Sequence, residues 1–292
     1  MNGQAEDNEL KKEMDMDNYV NKEYYLPILK EFCKKTMSLY ECGYPQGPFI
    51  PYTMPKYKSA PIKIMYVGRD TWEWTRYNVL DEAFKKDCLE DYLKANASNV
   101  CVEKMLEWRN NSGAFWTFAN KLHLLIRTGN LVDDLADLSD VQKNILKEVG
   151  YGNLNSIEIP ETIKRRKDVF EDDKYVWDLI NNVEQYNAIR KASKPFETLK
   201  SMIDAYHPDY VFVLTWIEKG DFFEGLEKEY EWKSNFFSED IDEKKYRAVY
   251  TSNNYKTKVI WSLHPNSLKF KGFTKGDTEN LILFLANTLK EL

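Results

Sequence analysis

Residues 62–74 read IKIMYVGRDTWEW, and this stretch decides the fold. Ile62, Ile64, Met65, Tyr66 and Val67 make an apolar, β-rich run that stops at Gly68, the pattern of a buried parallel strand. In α/β sheets, ligands bind beyond the carboxyl ends of such strands. The residues that follow Gly68 therefore sit in a favoured place for function. They are Arg69, Asp70, Trp72 and Trp74, so a carboxylate arrives just past the turn with two large aromatic rings behind it.

Outward from that strand, the chain alternates between apolar runs and long helical patterns. YVFVL at residues 210–214 predicts a second buried strand. Residues 246–250 and 257–263, joined through Ser252, Asn253 and Asn254, predict a pair. Leu154, Ile157 and Ile159, ended by Pro160, predict a short strand. Helical spacing marks residues 19–39, 80–93, 100–108, 114–126, 131–149, 175–189, 222–230 and 278–292. Ser139 or Asp140 would cap the fifth of these, and Pro195 would open a further helix over PFETLKSMIDAY. Residues 42–61, rich in Gly, Pro and Tyr, predict an extended wrapping segment. This alternation predicts an α/β fold, a three-layer α/β/α sandwich on a mainly parallel central sheet. Residues 1–61 form a tail, helix and wrapping segment; residues 62–292 form the domain, with a helical expansion at about 78–150. There is no internal repeat.

Composition narrows the function. The 41 basic and 47 acidic residues leave a formal charge of -6, which argues against broad nonspecific wrapping of nucleic acid but leaves room for a local basic patch. No apolar run approaches the ~20 residues of a membrane span, and the charged first 18 residues lack the apolar core of a signal peptide. The expected location is cytoplasmic. Cys33, Cys42, Cys88 and Cys101 form no CxxC pair, so reduced thiols are expected rather than an iron–sulfur cluster, and no metal or other cofactor is expected.

The chain has three histidines. His123 falls within an amphipathic helix and reads as a packing or surface residue. His207 precedes Pro208 at a helix exit and reads as structural. His264 differs, because it follows the strand pattern VIWSL and opens the loop HPNSLKFKGF. A histidine there, held by a proline-fixed turn, is placed to point over the same sheet edge as Asp70.

The two loops together resemble the signature loops of the uracil-DNA glycosylase superfamily. The first family loop is commonly Gly-Gln-Asp-Pro-Tyr-His, and this chain has Gly68-Arg69-Asp70-Thr71-Trp72-Glu73. The second is commonly His-Pro-Ser-Pro-Leu-Ser, and this chain has His264-Pro265-Asn266-Ser267-Leu268-Lys269. Between them the family carries an asparagine at a strand end, for which Asn153 is the best match and Asn155 the second. The resemblance spans residues 62–292. It departs from the family at Arg69, Thr71 and Glu73.

What the resemblance implies is a base glycosylase that reads a flipped base in a snug pocket. Breaking the N-glycosidic bond puts positive charge on the sugar and negative charge on the leaving base. Asp70 would stabilise the cation and orient water, and His264 would donate a hydrogen bond to the departing base. Asn153 would present donor and acceptor to the base edge. Gly68, Arg69, Trp72 and Trp74 would complete the base pocket, with Tyr77 a further wall. Asn266, Leu268, Lys269 and Lys271 would meet DNA, Leu268 as an apolar wedge and the lysines, with Lys275, facing phosphates. The expected partner is DNA or a nucleobase-containing ligand. Two other functions fit the same residues: a catalytically silent member that binds nucleic acid, nucleotide or protein, and a hydrolase of a small base-like or nucleoside-like ligand.

Overall fold

The computed structural model describes residues 26–27, 30, 33–34, 51–68, 83–91, 114–154, 195–215, 232–240 and 245–292. Among them, seven strands form one sheet: β1 (Tyr52–Thr53), β2 (Ile64–Gly68), β3 (Val149–Asn153), β4 (Tyr210–Thr215), β5 (Lys233–Asp240), β6 (Lys245–Thr251) and β7 (Lys258–Leu263). Their spatial order is β1-β3-β2-β4-β7-β6-β5. The principal helices are α1 (Ala114–Thr128), α2 (Asp140–Ile145), α3 (Pro195–Tyr206), α4 (Pro265–Leu268) and α5 (Lys275–Glu291). The fold is of the α/β class, with a mixed sheet.

The expectation of a mainly parallel sheet is corrected: the sheet is only partly parallel. β4 pairs in parallel with β2 and with β7. β1 pairs antiparallel with β3, β5 with β6, and β6 with β7. The cause lies in the connections. Residues 241–244 and 252–257 are too short for a crossover, so β5, β6 and β7 can only fold back on one another.

The chain divides into two compact units. One holds residues 1–51, 70–98 and 152–205; the other holds residues 52–69, 99–151 and 206–292. In the second unit every residue of β2, and all but the first residue of β4 and of β7, is buried. That is why these strands read as continuous apolar runs rather than alternations. Helices α1 and α5 pack on each other, α1 also against β2 and α5 also against β6. Their amino-acid patterns place Phe118, Leu122 and Leu125 of α1 and Leu281, Ile282 and Leu285 of α5 in the core. Arg247 of β6 ties the last turn of α5 to the sheet. It donates to Thr288 Oγ1 at 2.8 Å and to Glu291 Oε2 at 2.6 Å, with its guanidinium 4.5 Å from the Phe284 ring centroid.

In the first unit, α3 buries Leu199, Met202 and Ile203, and Lys200 pairs with Asp204 one turn on. Met202 Sδ occupies the space that a side chain at residue 152 would need, so Gly152 lets the helix approach.

Helix ends follow their local chemistry. Ser139 caps α2 in a capping box: Gln142 N–H donates to Ser139 Oγ at 3.3 Å, and Ser139 N–H donates to Gln142 Oε1 at 2.9 Å. Thr274 and Asp277 build the same device at α5. The helix predicted over 131–149 is broken into pieces, with one turn of 3-10 helix on each side of α2. β3 lies just before the segment 154–159 and was not predicted, because Gly150 and Gly152 dilute its apolar signal; of the strand predicted at 154–159, residues 155–159 lie outside the described residues. No helix among the described residues is long and apolar enough to cross a membrane.

Candidate functional site

The sheet register aligns the ends of the strands that lead into GRDTWEW and HPNSL. Val67 of β2 pairs with Val213 of β4, and Val213 pairs with Trp261 of β7. The three strands run in one direction, so their carboxyl ends share one edge. β2 and β7 flank β4 and are two strand spacings apart, about 10 Å. Gly68 is the last residue of β2 and is buried. At the other strand, His264 N–H donates to the Thr215 carbonyl at 2.9 Å and so closes the β4–β7 ladder at that edge. Trp261 Nε1–H donates to Thr215 Oγ1 at 2.8 Å, which satisfies a fully buried indole.

His264 is the N-cap of α4. Its backbone is extended, and Pro265 occupies the first helical position, where a missing N–H costs nothing. The Asn266 backbone N–H donates to His264 Nδ1 at 3.2 Å. That bond requires an unprotonated Nδ1, so the neutral ring carries its proton on Nε2. Ser267 reinforces the turn by donating from both N–H and Oγ to the His264 carbonyl, at 2.8 and 2.7 Å. A second element holds the ring plane. Phe115, in the first turn of α1, lies against the imidazole with centroids 6.0 Å apart and planes 17° from parallel.

From Phe115 the contacts continue inward along α1. Phe115 meets Trp116 edge-on, and Trp116 meets Tyr151 of β3 at 4.8 Å. Tyr151 Oη donates to Asn120 Oδ1 at 2.7 Å. Tyr66 of β2 stacks on Phe212 at 5.4 Å and meets His123 edge-on at 6.1 Å. The polar groups in this wall are neutral. Burial, and then the neighbouring Tyr151, push the Tyr66 phenol well above its ordinary range. Burial does the same to Tyr151. Burial first, and the Arg127 guanidinium second, hold His123 down to about 3, against a smaller opposing effect from the Ile145 backbone. His123 is thus a packed core histidine. His207 is exposed, with a left-handed φ of 46° at the exit of α3.

Asn153 is the last residue of β3 and is 8% exposed. Arg69, Asp70, Trp72, Trp74, Tyr77 and Asn155 lie outside the described residues.

Beyond α4 the turn is more ordered than a loop. Phe273 N–H donates to the Leu268 carbonyl at 3.0 Å and Gly272 N–H to the Lys269 carbonyl at 3.2 Å, with Gly272 at φ 72°. These bonds make a Schellman motif, for which a glycine in the left-handed region is the usual solution. Leu268, expected to project as a wedge, is 3% exposed. Its carbonyl accepts from Phe273 N–H, the wider-spanning of the two bonds of the motif, and an apolar side chain at that position commonly packs inward. Asn266, Lys269 and Lys271 are exposed. Lys271 Nζ also rests 5.3 Å from the Tyr246 ring centroid.

Sequence reasoning passed over Phe115 and Phe270. Nothing in a linear pattern pairs residue 115 with residue 264. The alternation Lys269-Phe270-Lys271 did carry a signal, an aromatic residue inside a charged turn. No family model, no curated protein and no solved structure matches this chain.

Proposed function

We propose that this protein is a monofunctional base glycosylase with a uracil-DNA-glycosylase-like three-layer α/β/α fold, acting on a flipped nucleobase in DNA or another nucleic acid. The single observation that supports the reading most is the shared carboxyl edge of β2 and β7, the strands that lead into GRDTWEW and HPNSL. In the reaction, water attacks the anomeric carbon and the N-glycosidic bond breaks with its electron pair leaving on the base. Asp70 orients the water, takes its proton and offsets the positive charge on the sugar. His264 donates from Nε2 to the carbonyl oxygen on which the leaving base gathers charge. Asn153 and the backbone at Gly68 read the base edge, while Arg69, Trp72 and Trp74 complete the pocket. Uracil is the first base to test. No cofactor is required by this chemistry. A cytoplasmic setting accords with the free thiol at Cys88.

A second reading, hydrolysis of a free nucleoside, is favoured by the formal charge of -6. One experiment separates the two. Single- and double-stranded oligonucleotides bearing uracil, hypoxanthine or an alkylated base are incubated with the protein beside free nucleosides, and released base is measured. Release from oligonucleotides, lost in Asp70→Asn, is the expected result. Release from nucleosides alone selects the second reading, and no release from any substrate removes the enzyme assignment.

A further inference from the structure

We propose that the interface between β2 and α1 binds one internal water molecule, held by Tyr66, Asn120 and His123, which joins the helix to the sheet. The inference concerns the interior of the second unit and does not depend on base release. All three side chains are fully buried. Tyr66 Oη, Asn120 Nδ2 and both ring nitrogens of His123 make no hydrogen bond within the protein. These groups are also neighbours. Asn120 and His123 are one turn apart on the same face of α1, and α1 packs on β2. The His123 ring meets Tyr66 edge-on with centroids 6.1 Å apart. Tyr66 in turn lies 6.3 Å from Tyr151, the residue that donates to Asn120 Oδ1. That bond uses the amide oxygen and leaves the amide NH2 group over. The Ile145 backbone comes near enough to favour the protonated ring, but not in a geometry that satisfies either nitrogen.

Buried polar groups in folded proteins nearly always have a partner, because an unmet one costs as much as a lost hydrogen bond. Apolar side chains of similar shape would fill the same interface without that cost. Three such residues on one interface therefore point to a partner that they share. The water ties α1 to β2 at the middle of the helix, and the first turn of the same helix carries Phe115 against His264.

The stock of unmet groups names the chemistry of that partner. Asn120 offers N–H donors, Tyr66 an O–H with lone pairs, and the neutral His123 ring one donor and one acceptor. Whatever they share must accept from the amide and also donate to the bare imidazole nitrogen. An anion only accepts, and a cation cannot accept at all. The Arg127 guanidinium, whose charge reaches His123, is already paired with Glu148 at 2.7 Å, so an ion here would stay uncompensated. Water both donates and accepts, and internal waters typically make about three bonds to such groups.

Crystals of the whole chain, grown with and without bromide, test the site directly. The expected result is one isolated density peak about 3 Å from Tyr66 Oη, Asn120 Nδ2 and a His123 nitrogen, with no anomalous signal from bromide. In solution, protein labelled with nitrogen-15 at histidine should show cross-relaxation between the His123 ring proton and water, with the sign of a long-lived bound molecule. Urea unfolding at neutral pH adds a third measure. The midpoint lost in Tyr66→Phe should shrink by about half when His123→Phe is already present, because one shared water is lost only once. The wild-type crystal and spectrum decide the matter even where a variant fails to fold. No density at that point, a direct bond between Tyr66 Oη and the imidazole, a bromide peak, or strictly additive midpoints would each overturn the assignment. Base release, present or absent, does not bear on it.

Discussion

The imidazole of His264 lies 6.0 Å from the Phe115 ring and within 17° of parallel to it, while its Nδ1 accepts from the Asn266 backbone. The hydrogen bond selects the tautomer and the stack selects the plane. Together they aim Nε2–H with little rotamer freedom left to lose, the preorganisation that a donor to a leaving anion needs.

Phe115→Ala is therefore expected to loosen the ring without unfolding the protein. Long-range proton–nitrogen spectra of the histidine side chains should show the Nε2-protonated tautomer in the wild type and a mixture in the variant. Base release should fall about ten- to a hundredfold in kcat, with KM nearly unchanged. An unaltered tautomer in Phe115→Ala would mean that the stack does not position His264.

Substitution of His264 itself should cost more. His264→Gln removes the Nε2 donor, and base release is expected to fall about a hundred- to a thousandfold while the far-ultraviolet circular dichroism stays as it was. The proposed role of the carboxylate predicts at least as large a loss in Asp70→Asn. Turnover at the wild-type rate in either variant removes the role given to that residue.

His123 makes stability depend on acid. Its folded pKa is depressed to about 3 from an ordinary value of 6.5. Below about pH 6.5 the unfolded chain takes up a proton that the folded one refuses, so stability is complete above that value and drains away as pH falls toward about 3. The rate of loss from this group approaches about 1.4 kcal/mol per pH unit. Urea unfolding of wild type and His123→Phe at pH 7, 5 and 4 isolates the contribution, because the carboxylates are common to both. The variant should gain on the wild type as pH falls; parallel curves would show that His123 does not titrate with unfolding.

Gly150 is needed for space. A Cβ at residue 150 would stand 2.8 Å from Met65 Cγ, with Met65 Cε at 3.3 Å and Thr53 Cγ2 at 3.4 Å. The γ-carbon is close to the backbone and cannot swing away as a chain end can. Gly150→Ala is expected to destabilise the protein by about 1–3 kcal/mol. In a double-mutant cycle, Met65→Ala should relieve part of that cost. Strict additivity would show that the clash is absorbed elsewhere.

Several elements were legible in the chain because their signals are local. The apolar run at β4, the pattern of α1, the pairing of β6 with β7 and the Ser139 cap all appear where side-chain chemistry predicts them. β3 was not predicted because two of its five residues are glycine, which carry no periodicity. β5 was missed for a related reason: KSNFFSED is mostly polar and has no apolar alternation, so nothing local announces its pairing with β6.

Residue types and their order along the chain were enough to nominate His264, because a histidine after a buried strand and before a proline is a local pattern. They also located the end of β2 and the basic turn after α4. Only the folded chain could decide which long-range partner holds the imidazole, since Phe115 and His264 are brought together by the packing of α1 on α4. It likewise decided that Leu268 faces inward and Phe270 outward. Both are apolar residues in the same short segment, and a sequence pattern rates them alike. The Schellman turn at Gly272 orients the backbone so that one ring or branch is covered by protein and the other meets water. Burial is a property of neighbours, and neighbours distant in sequence are assigned by topology.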